Sequence, residues 1–400
     1  MAMIEGLTHL GMGKVDDGRS LLPRVLPGEE VSVDQVGTVR IVTPSTDRVA
    51  APCRHFKSCG GCAMQHASDK FVRDWKTEIV KRAVKAQGLD PDFRAIHTSP
   101  PRSRRRAKFS AKRTKKGAMV GFHARASDVL VAVPDCQLVT PTMLAAMPAL
   151  EALTTMAATR KGEIALTVTD TAVGPDVLVQ TDVELTPQLR ADLAGFAQEY
   201  GVARLVWGDD PVVGINPPVQ QFGNARVVPP AGAFLQATLD GEAALVAAVD
   251  EITQGSKQVV DLFSGCGTFA LPLAARAEVH AVEGEKPMLE SLDKGWRLAQ
   301  GLKRVTTETR DLFRRPLEED ELRRFDAAVI DPPRAGAEAQ VAVLATTKIR
   351  KIAMVSCNPV SFARDAATLV EGGYRLDWVQ VIDQFRWSAH VEMVGSFTRL

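Results

Sequence analysis

The chain has few cysteines and no long hydrophobic run. It contains six cysteines in 400 residues, and no stretch of about 18 apolar residues that would predict a transmembrane helix. The start, "MAMIEGLTHLGMG", lacks a basic segment followed by an apolar one and does not resemble a secretory signal. We therefore expect a cytoplasmic protein without membrane association. Reduced thiols would then serve as metal ligands or catalytic groups rather than in disulfides.

A strong excess of either charge is also absent, with 49 Lys and Arg against 48 Asp and Glu. Apolar residues make up 45%, which is typical of a protein with a substantial core. The length predicts two or three domains. No internal repeat or low-complexity tract interrupts the chain.

Three segments of different character follow one another. Residues 1–48 contain short strands broken at Pro27-Gly28, which predict a small OB-like β-barrel. Residues 49–230 would form a central α+β domain; it includes a helix with Ser68 as N-cap, Gly88 as its end and one apolar face, made of Phe71, Trp75, Ile79 and Val80. In residues 231–400, strands such as "KQVVDLF" and "KIAMVSC" alternate with helical stretches, the pattern of a doubly wound parallel sheet.

A glycine-rich turn follows the first of these strands, in "VVDLFSGCGTFALPLA". Gly265 and Gly267 allow the backbone to approach a ligand at a helix N-terminus. Together with Ala270 and Glu283 they also match the dinucleotide fingerprint, whereas no Lys-Ser/Thr pair follows to make a P-loop. A tight turn without a ligand is the simpler alternative.

Carboxylates at successive strand ends help to choose between cofactors. The four residues are Asp261, Glu283, Asp311 and Asp331. Ligands of open α/β sheets bind beyond the carboxyl ends of the strands. S-adenosylmethionine is cationic near its reactive methyl and has no pyrophosphate, so this set favours it over NAD. Any one carboxylate alone would be explained as a helix cap. Glu283 suits the ribose hydroxyls, and Asp311 suits the adenine edge.

A candidate nucleophile and base follow. The strand ending "MVSCNP" places Cys357 at the same edge of the sheet, where Asn358 favours a turn and Pro359 should bar immediate continuation into a helix. A thiolate that adds to C6 of a pyrimidine turns C5 into a nucleophile for the sulfonium methyl, and a base must then remove the C5 proton. Glu392, on a predicted strand in "SAHVEMVGSF", is our candidate base, with His390 as its neighbour. A buried core cysteine and a solvated carboxylate on an edge strand are the alternatives.

At this point the chain closely resembles the RNA uracil-5 methyltransferase family, in its iron–sulfur branch that modifies 23S ribosomal RNA. The resemblance rests on "CRHFKSCGGCAMQH", "DLFSGCGTF", "DPPR", "SCNP" and the terminal "HVE", in this order. It implies a TRAM-like N-terminal barrel, a central domain with a four-iron cluster and a Rossmann-like methyltransferase domain. It implies that Cys357 is the nucleophile and Glu392 the base, with a cofactor site formed by Gln236, Phe263, Glu283 and Asp331 and with Asp311 near the adenine. The barrel is shorter than usual, and "ATLDGE" follows Gln236 where the family has Asn.

The clustered cysteines need a fourth ligand. Cys53, Cys59 and Cys62 surround the Gly60-Gly61 pair, and Cys136 is the cysteine left once Cys266 and Cys357 are assigned to the cofactor turn and the nucleophile. Zinc is the alternative metal, but zinc sites usually show two C-x2-C knuckles and this chain has one. The spacing favours iron–sulfur modestly; the resemblance favours it strongly.

A basic segment lies between these ligands. Residues 102–116, "RSRRRAKFSAKRTKK", contain nine Lys and Arg and no acidic residue. Alternation of Arg104, Arg106 and Lys108 along a strand would align charges for RNA phosphates, and Phe109 or Phe122 would stack on a base. A solvated hairpin face and a nuclear-import signal are the alternatives.

The sequence as a whole predicts an S-adenosylmethionine-dependent RNA (uracil-C5)-methyltransferase acting on 23S rRNA, with no obligate protein partner. The alternatives are a methyltransferase for the T-loop uridine of tRNA, and a non-catalytic RNA-binding protein with a metal site. An NAD-dependent oxidoreductase is not supported by "DPPR" and "SCNP".

Overall fold

The structure is a computed structural model that describes residues 1–35 and 37–400. These residues form sheets of five, seven, two and nine strands. No helix in the described part of the chain is long and apolar enough to cross a membrane.

The N-terminal sheet is antiparallel and small. Its strands are β1 (Ala2–Leu7), β2 (Met12–Val15), β3 (Leu21–Pro23), β4 (Glu30–Val33) and β5 (Val39–Thr43), in the order β3-β2-β1-β4-β5. Ile4, Val15, Val25 and Val31 pack together as its core. The expected turn at Gly28 joins β3 to β4, with a φ of 79° that glycine adopts readily. The sheet fits a half-open version of the expected barrel.

Helix α1 (Asp69–Ala86) begins and ends where the sequence predicts. The Ser68 hydroxyl accepts a hydrogen bond from the Phe71 N–H (3.1 Å), and Gly88 follows the helix with a φ of 74°. The prediction of its buried face is only partly right: Val80 is buried, but the other buried positions are Val72, Lys76 and Val84. The helix packs against the C-terminal sheet and its helix α10 (Pro359–Glu371), so this face lies at an interface between segments.

The middle sheet has seven strands and covers three helices. After the short strands β6 (Asp92–Phe93) and β7 (His97–Thr98) come β8 (Arg106–Thr114), β9 (Gly117–His123), β10 (Leu130–Ala132), α2 (Pro141–Ala145), α3 (Met147–Ala157), β11 (Glu163–Thr169), β12 (Asp176–Gln180), α4 (Pro187–Glu199), β13 (Arg204–Trp207) and β14 (Asp210–Gly214). The order is β10-β9-β8-β11-β12-β13-β14, and only β12 and β13 pair in parallel.

The C-terminal part is the predicted doubly wound α/β sheet. Its elements are β15 (Gln220–Phe222), β16 (Ala225–Val227), α5 (Leu239–Ile252), β17 (Gln258–Leu262), α6 (Ala270–Leu273), β18 (Glu278–Glu283), α7 (Lys286–Leu298), β19 (Val305–Thr309), α8 (Glu319–Leu322), β20 (Ala327–Ile330), α9 (Glu338–Thr346), β21 (Lys351–Ser356), α10 (Pro359–Glu371), β22 (Tyr374–Asp383) and β23 (Met393–Arg399). The strand order is β19-β18-β17-β20-β21-β23-β22-β6, and β7 also pairs with β22. Strands β19 to β21 in this order are parallel, while β23 is antiparallel to both neighbours.

Candidate active site

A cavity of about 520 Å³ opens where β17, β18, β20 and β21 end. The chain reverses direction across the sheet between β17 and β20, and doubly wound sheets bind ligands at this switch point. The structure brings seven predicted residues to this cavity: Gln236, Phe263, Gly265, Glu283, Asp331, Cys357 and Glu392.

The glycine turn after β17 forms one wall of the cavity. Phe263, Gly265 and Gly267 all have positive φ, at 62°, 54° and 94°, so the turn leaves the strand sharply. The Gly265 N–H donates to Glu283 Oε2 (3.0 Å), and the Glu285 N–H donates to Glu283 Oε1 (3.0 Å). These two bonds hold the Glu283 carboxylate at the cavity edge.

Asp331 and Glu283 form the acidic floor of the cavity, whereas the predicted Asp261 lies near them but is not among the lining residues. Asp261 is fully buried, and burial, with the charges of Asp331 and Glu283, holds its pKa well above the ordinary value. Burial and then the charge of Glu283 raise the pKa of Asp331 to about 7. Because an adjacent cation favours the ionised form of a carboxylate, this floor suits a positively charged ligand.

Cys357 lies in the turn between β21 and α10. Asn358 is the N-cap of α10: its Oδ1 accepts from the Val360 N–H (3.1 Å), and its Nδ2 donates to the Arg334 carbonyl oxygen (2.8 Å). The expectation for Pro359 was wrong, because Pro359 is the first residue of the helix, a position where its missing N–H is not needed. At the predicted elbow, Cys357 is therefore the residue between the end of β21 and Asn358, the N-cap of α10.

The thiol of Cys357 is half-buried and weakly acidic. Burial, followed by the charges of Glu392 and Asp331, raises its pKa to about 11, while Arg334 acts in the opposite direction. The free protein therefore holds Cys357 as a thiol at neutral pH, and a nearby positive charge would favour the thiolate.

Glu392 is 3% exposed, so the alternative of a solvated carboxylate on an edge strand is wrong. It lies in the segment just before β23 instead of within the strand as expected. Its Oε2 accepts a hydrogen bond from Gln384 Nε2 (3.2 Å). Burial, then the charge of Asp331, holds the pKa of Glu392 well above its ordinary value, and the Gln384 bond partly opposes this.

Asp311 is exposed and does not lie among the described residues that line the cavity. Its Oδ1 accepts from the Phe313 N–H (3.0 Å), and the Phe313 ring packs on Phe263 with centroids 5.3 Å apart. Asp311 thus shapes the turn next to the cofactor wall, and its contact with adenine stays a prediction.

A second groove, of about 970 Å³, meets the cofactor cavity at Cys357. Leu10 of the N-terminal sheet, the Gly60-Gly61 pair and Phe122 of β9 line its far side. The nucleophile thus lies where a cofactor-sized cavity and an open groove between three parts of the molecule join.

The basic segment turns out to be partly structural. Arg105 is 2% exposed and forms an ion pair with Glu242, and Arg106 donates to the Gly232 carbonyl oxygen (2.7 Å). Arg104 precedes β8 and lines both cavities. The predicted row of Arg104, Arg106 and Lys108 along one strand face was therefore wrong.

The exposed basic side chains of this hairpin are Lys108, Arg113, Lys115 and Lys116, with Lys112 half-buried. Phe109 is fully buried and stacks on Phe122 at 5.0 Å, so the proposal that Phe109 stacks on a base was also wrong. Phe122 lines the groove, so stacking of its ring on a base stays a prediction.

The four predicted cysteine ligands lie near one another, because the charges of the other three act on the pKa of Cys62. Burial, together with the charges of Cys136, Cys59 and Cys53, raises the pKa of Cys62 to about 12, while a hydrogen bond with Gln65 opposes the shift. Backbone N–H groups donate to two of the sulfurs, Gly61 to Cys59 (3.3 Å) and Leu138 to Cys136 (3.4 Å). In the described residues, no three His, Cys, Asp or Glu side chains are arranged to hold a single metal ion.

The surroundings of the four thiols suit a negatively charged cluster. The guanidinium of Arg104 is close enough for the charges of Cys62 and Cys136 to favour its ionised form, although burial lowers its pKa. A Cβ on Gly60 would lie 2.7 Å from the His123 carbonyl oxygen, so the loop fits against β9 only with glycine there. Four soft thiolate donors with N–H donors around them match the chemistry of an iron–sulfur centre.

Sequence reasoning missed Gln384 and the ion pair between Lys76 and Asp383. Gln384 lies in "VIDQFRW", which carries no motif that indicates a site, and its partners are up to 148 residues away. Lys76 and Asp383 are both fully buried. A lysine within an apolar helical face was the only sequence signal for this pair.

A doubly wound sheet with an antiparallel seventh strand, a glycine turn and an acidic cavity at the switch point together define an S-adenosylmethionine-dependent methyltransferase fold. The family model of tRNA (uracil-5-)-methyltransferases matches residues 229–399. An uncharacterized RNA methyltransferase of Mesorhizobium japonicum is 41% identical, over 96% of this chain and 94% of its own length.

Two further proteins are informative. The 23S rRNA (uracil(1939)-C(5))-methyltransferase RlmD of Chromohalobacter salexigens is 33% identical, covering 99% of this chain and 88% of that protein. The crystal structure of Pyrococcus abyssi tRNA (uracil-54, C5)-methyltransferase in complex with S-adenosyl-L-homocysteine superposes with a TM-score of 0.77 at 21% identity, covering 100% of this chain and 99% of that one. The last likeness shows the fold. The chain belongs to the RNA uracil-5 methyltransferase family and is an S-adenosylmethionine-dependent enzyme of that class.

Proposed function

We propose that this protein methylates C5 of a uridine in 23S ribosomal RNA. The observation that carries the proposal is that Cys357 and Glu392 line one cavity together with Gln236, Glu283 and Asp331. Similarity over nearly the whole chain to a 23S rRNA enzyme favours ribosomal RNA. The T-loop uridine of tRNA is the second candidate, because the matching family model describes tRNA enzymes.

The mechanism assigns one bond-making role to each residue. The Cys357 thiolate adds to C6 of the uracil, and the electron pair that moves to C5 attacks the methyl group, whose bond to sulfur breaks with its electrons staying on sulfur. Glu392 then takes the C5 proton, and the C6–S bond breaks to release 5-methyluridine and the thiolate. S-adenosylmethionine supplies the methyl group and a positive charge when bound.

The residues that would hold the cofactor follow from the cavity. Glu283, anchored by the N–H groups of Gly265 and Glu285, would accept hydrogen bonds from the ribose hydroxyls. Asp331 and Gln236 would lie beside the reactive end of the cofactor; Gln236 Nε2 donates to Asp331 Oδ2 (3.3 Å). Their position next to Cys357 suits a sulfonium whose methyl must face the target base.

The decisive experiment separates the two catalytic roles. Cys357→Ala should abolish both methyl transfer and any covalent RNA–protein species. Glu392→Gln should still transfer methyl once, but the C5 proton cannot leave readily, so a methylated covalent adduct should accumulate. Denaturing electrophoresis with labelled methyl donor and labelled RNA reads out both results. A substrate with 5-fluorouridine should trap the unmodified enzyme in the same way, because fluorine cannot leave as a cation.

Methylation by Cys357→Ala, or wild-type turnover by Glu392→Gln without an adduct, would contradict the mechanism. The choice of substrate needs a separate measurement. Mass mapping of 5-methyluridine in ribosomal and transfer RNA from a strain lacking the gene should show a loss in 23S rRNA only. A loss in the T-loop of tRNA instead would establish the second candidate.

We also propose that Cys53, Cys59, Cys62 and Cys136 hold a four-iron cluster. A single zinc ion needs four sulfurs about 2.3 Å from one centre. The proposal is supported by the proximity of the four thiols, whose charges act on the pKa of Cys62, and by the backbone N–H groups that donate to Cys59 and Cys136. The cluster would support the loop that carries Gly60 and Gly61 into the groove.

The division into domains 1–48, 49–230 and 231–400 is likewise a proposal, although β6 of the central segment is added to the C-terminal sheet. RNA would enter along the groove between these parts, with the exposed lysines of the β8–β9 hairpin near its phosphates. Its cytoplasmic location stays a prediction.

A further inference from the structure

The side-chain amide of Gln384 has one possible orientation. Its Oε1 accepts hydrogen bonds from the backbone N–H groups of Ala237 (2.7 Å) and Thr238 (3.4 Å). A backbone N–H can only donate, so an oxygen must face it. Gln384 is 2% exposed, and its Nε2 therefore points to the opposite side, towards the active site.

This Nε2 serves two acceptors. It donates to Gln236 Oε1 and to Glu392 Oε2 (3.2 Å). With its oxygen engaged in this way, Gln236 presents its own Nε2 to Asp331 Oδ2. A continuous chain of hydrogen bonds thus runs from the candidate base, through two amides, to the acidic floor of the cofactor cavity.

The segment that carries Gln384 is firmly held. Asp383, the preceding residue, forms a fully buried ion pair with Lys76 of α1, and Lys76 also donates to the Phe385 carbonyl oxygen (3.1 Å). On the other side, a Cβ on Gly241 would lie 2.7 Å from the Cβ of Gln384. The side chain has little room to move.

We propose that Gln384 is a positioning residue that orients the Glu392 carboxylate for removal of the C5 proton and also orients the Gln236 amide towards the cofactor. By binding Oε2 of Glu392, it leaves Oε1 for the proton. The inference rests on the proposed function, because it assigns Gln384 its role through Glu392.

The test replaces Gln384 by Met, which has a similar length but no amide. Correctly placed general bases contribute about 10²–10⁴-fold to rate. We therefore expect Gln384→Met to lower kcat at least about tenfold, to raise the KM for S-adenosylmethionine and to accumulate the methylated covalent adduct. A purely structural residue would not produce this adduct.

Gln340→Met is the matched control. Gln340 is an equally buried amide of the same sheet domain, bonded through both ends to the backbone of Leu317 (2.8 and 3.2 Å) and outside the cavity. It should lower thermal stability but leave the adduct level and the KM for S-adenosylmethionine unchanged. Gly241→Ala, which crowds Gln384 without removing its amide, should accumulate adduct even if Gln384→Met folds poorly.

The outcomes separate the two proposals when Glu392→Gln is assayed in parallel. If Glu392→Gln traps adduct but Gln384→Met and Gly241→Ala turn over normally with unchanged KM, the positioning role is refuted and the proposed function stands. If Gln340→Met traps as much adduct as Gln384→Met, loss of packing explains the effect and the inference fails. If Glu392→Gln neither slows turnover nor accumulates the adduct, both the role of Glu392 as base and the positioning role of Gln384 are refuted.

Discussion

At the scale of single residues, the active site keeps acidic groups in unfavourable surroundings. Burial and then the charge of Glu283 raise the pKa of Asp331 to about 7, and burial and then the charge of Asp331 hold the pKa of Glu392 well above its ordinary value. Strongly shifted groups in a cavity are typical of functional sites. Here their repulsion would be relieved by a cationic ligand.

Cofactor affinity should therefore depend on pH. In the free protein Asp331 is partly protonated near neutrality, and a bound cation favours its ionised form, so binding releases protons. Affinity should fall as pH drops below about 7, approaching tenfold per pH unit for one linked proton. Calorimetric titration with S-adenosylmethionine in buffers of different ionisation enthalpy measures the release. Asp331→Asn should weaken binding and flatten the profile near pH 7; a wild-type affinity independent of pH would contradict the acidic-floor explanation.

The cysteine set gives a second test at this scale. Cys136→Ala should abolish bound iron and acid-labile sulfide, since three thiolates leave one cluster position open. Cys266→Ala is the control, because Cys266 lies against Met288 in the cofactor wall and its removal should leave iron unchanged. The intact protein should contain iron and sulfide near four each per chain, as one four-iron cluster requires. Stoichiometric zinc without sulfide would contradict the cluster.

At the scale of elements, helix α1 joins the central segment to the methyltransferase sheet. It places Lys76 against Asp383 at the end of β22, although the two residues are 307 positions apart in the chain. Burial lowers the pKa of Lys76, and the charge of Asp383 opposes this shift. A buried pair of this kind is sensitive to loss of one partner.

Lys76→Met should destabilise the protein by about 3–5 kcal/mol, because it leaves the Asp383 carboxylate buried without its partner. Denaturant unfolding measures this loss, and Lys76→Met combined with Asp383→Leu should recover much of it. Lys70→Met removes an exposed pair with Asp74 on the same helix and should leave stability unchanged within error. Equal stability of Lys76→Met and Lys70→Met would disprove the anchoring role.

The β8–β9 hairpin is the element expected to contact RNA phosphates. Changing Lys108, Lys112 and Lys115 to Ala should weaken RNA binding and reduce its salt dependence by a slope of up to about 0.7 per lost contact with single-stranded RNA. Arg105→Ala should instead lower stability, because it leaves Glu242 unpaired in a buried position. An unchanged salt slope for the triple variant would mean that the hairpin does not contact RNA phosphates and is only a solvated surface.

At the scale of the whole molecule, three sheets converge on one groove that ends at Cys357. The groove continues into the cofactor cavity, so a target base must leave its stack to reach the thiol. We expect a hairpin RNA with the target uridine in its loop to be methylated faster than the same uridine in a stable stem. Initial rates with labelled methyl donor measure this, and equal rates would mean that the enzyme opens duplex RNA itself.

The sequence by itself determined the order of the main elements and the class of enzyme. Alternation of strands and helices after Lys257, the cap at Ser68 and the glycine turn at Gly265 and Gly267 were all readable, because each depends on neighbours within a few positions. The motifs around Cys357 and Glu392 indicated their region for the same reason.

Only the tertiary structure decided which side chains are free to act. Arg105 and Phe109 belong to the segment that the sequence predicts to face RNA, yet packing against distant residues buries both. The hydrogen bonds of the Gln384 amide and the Lys76–Asp383 ion pair join residues that are far apart in the chain. Whether a charged or polar group faces solvent, a ligand or another charge depends on long-range packing, and local periodicity carries no information about those contacts.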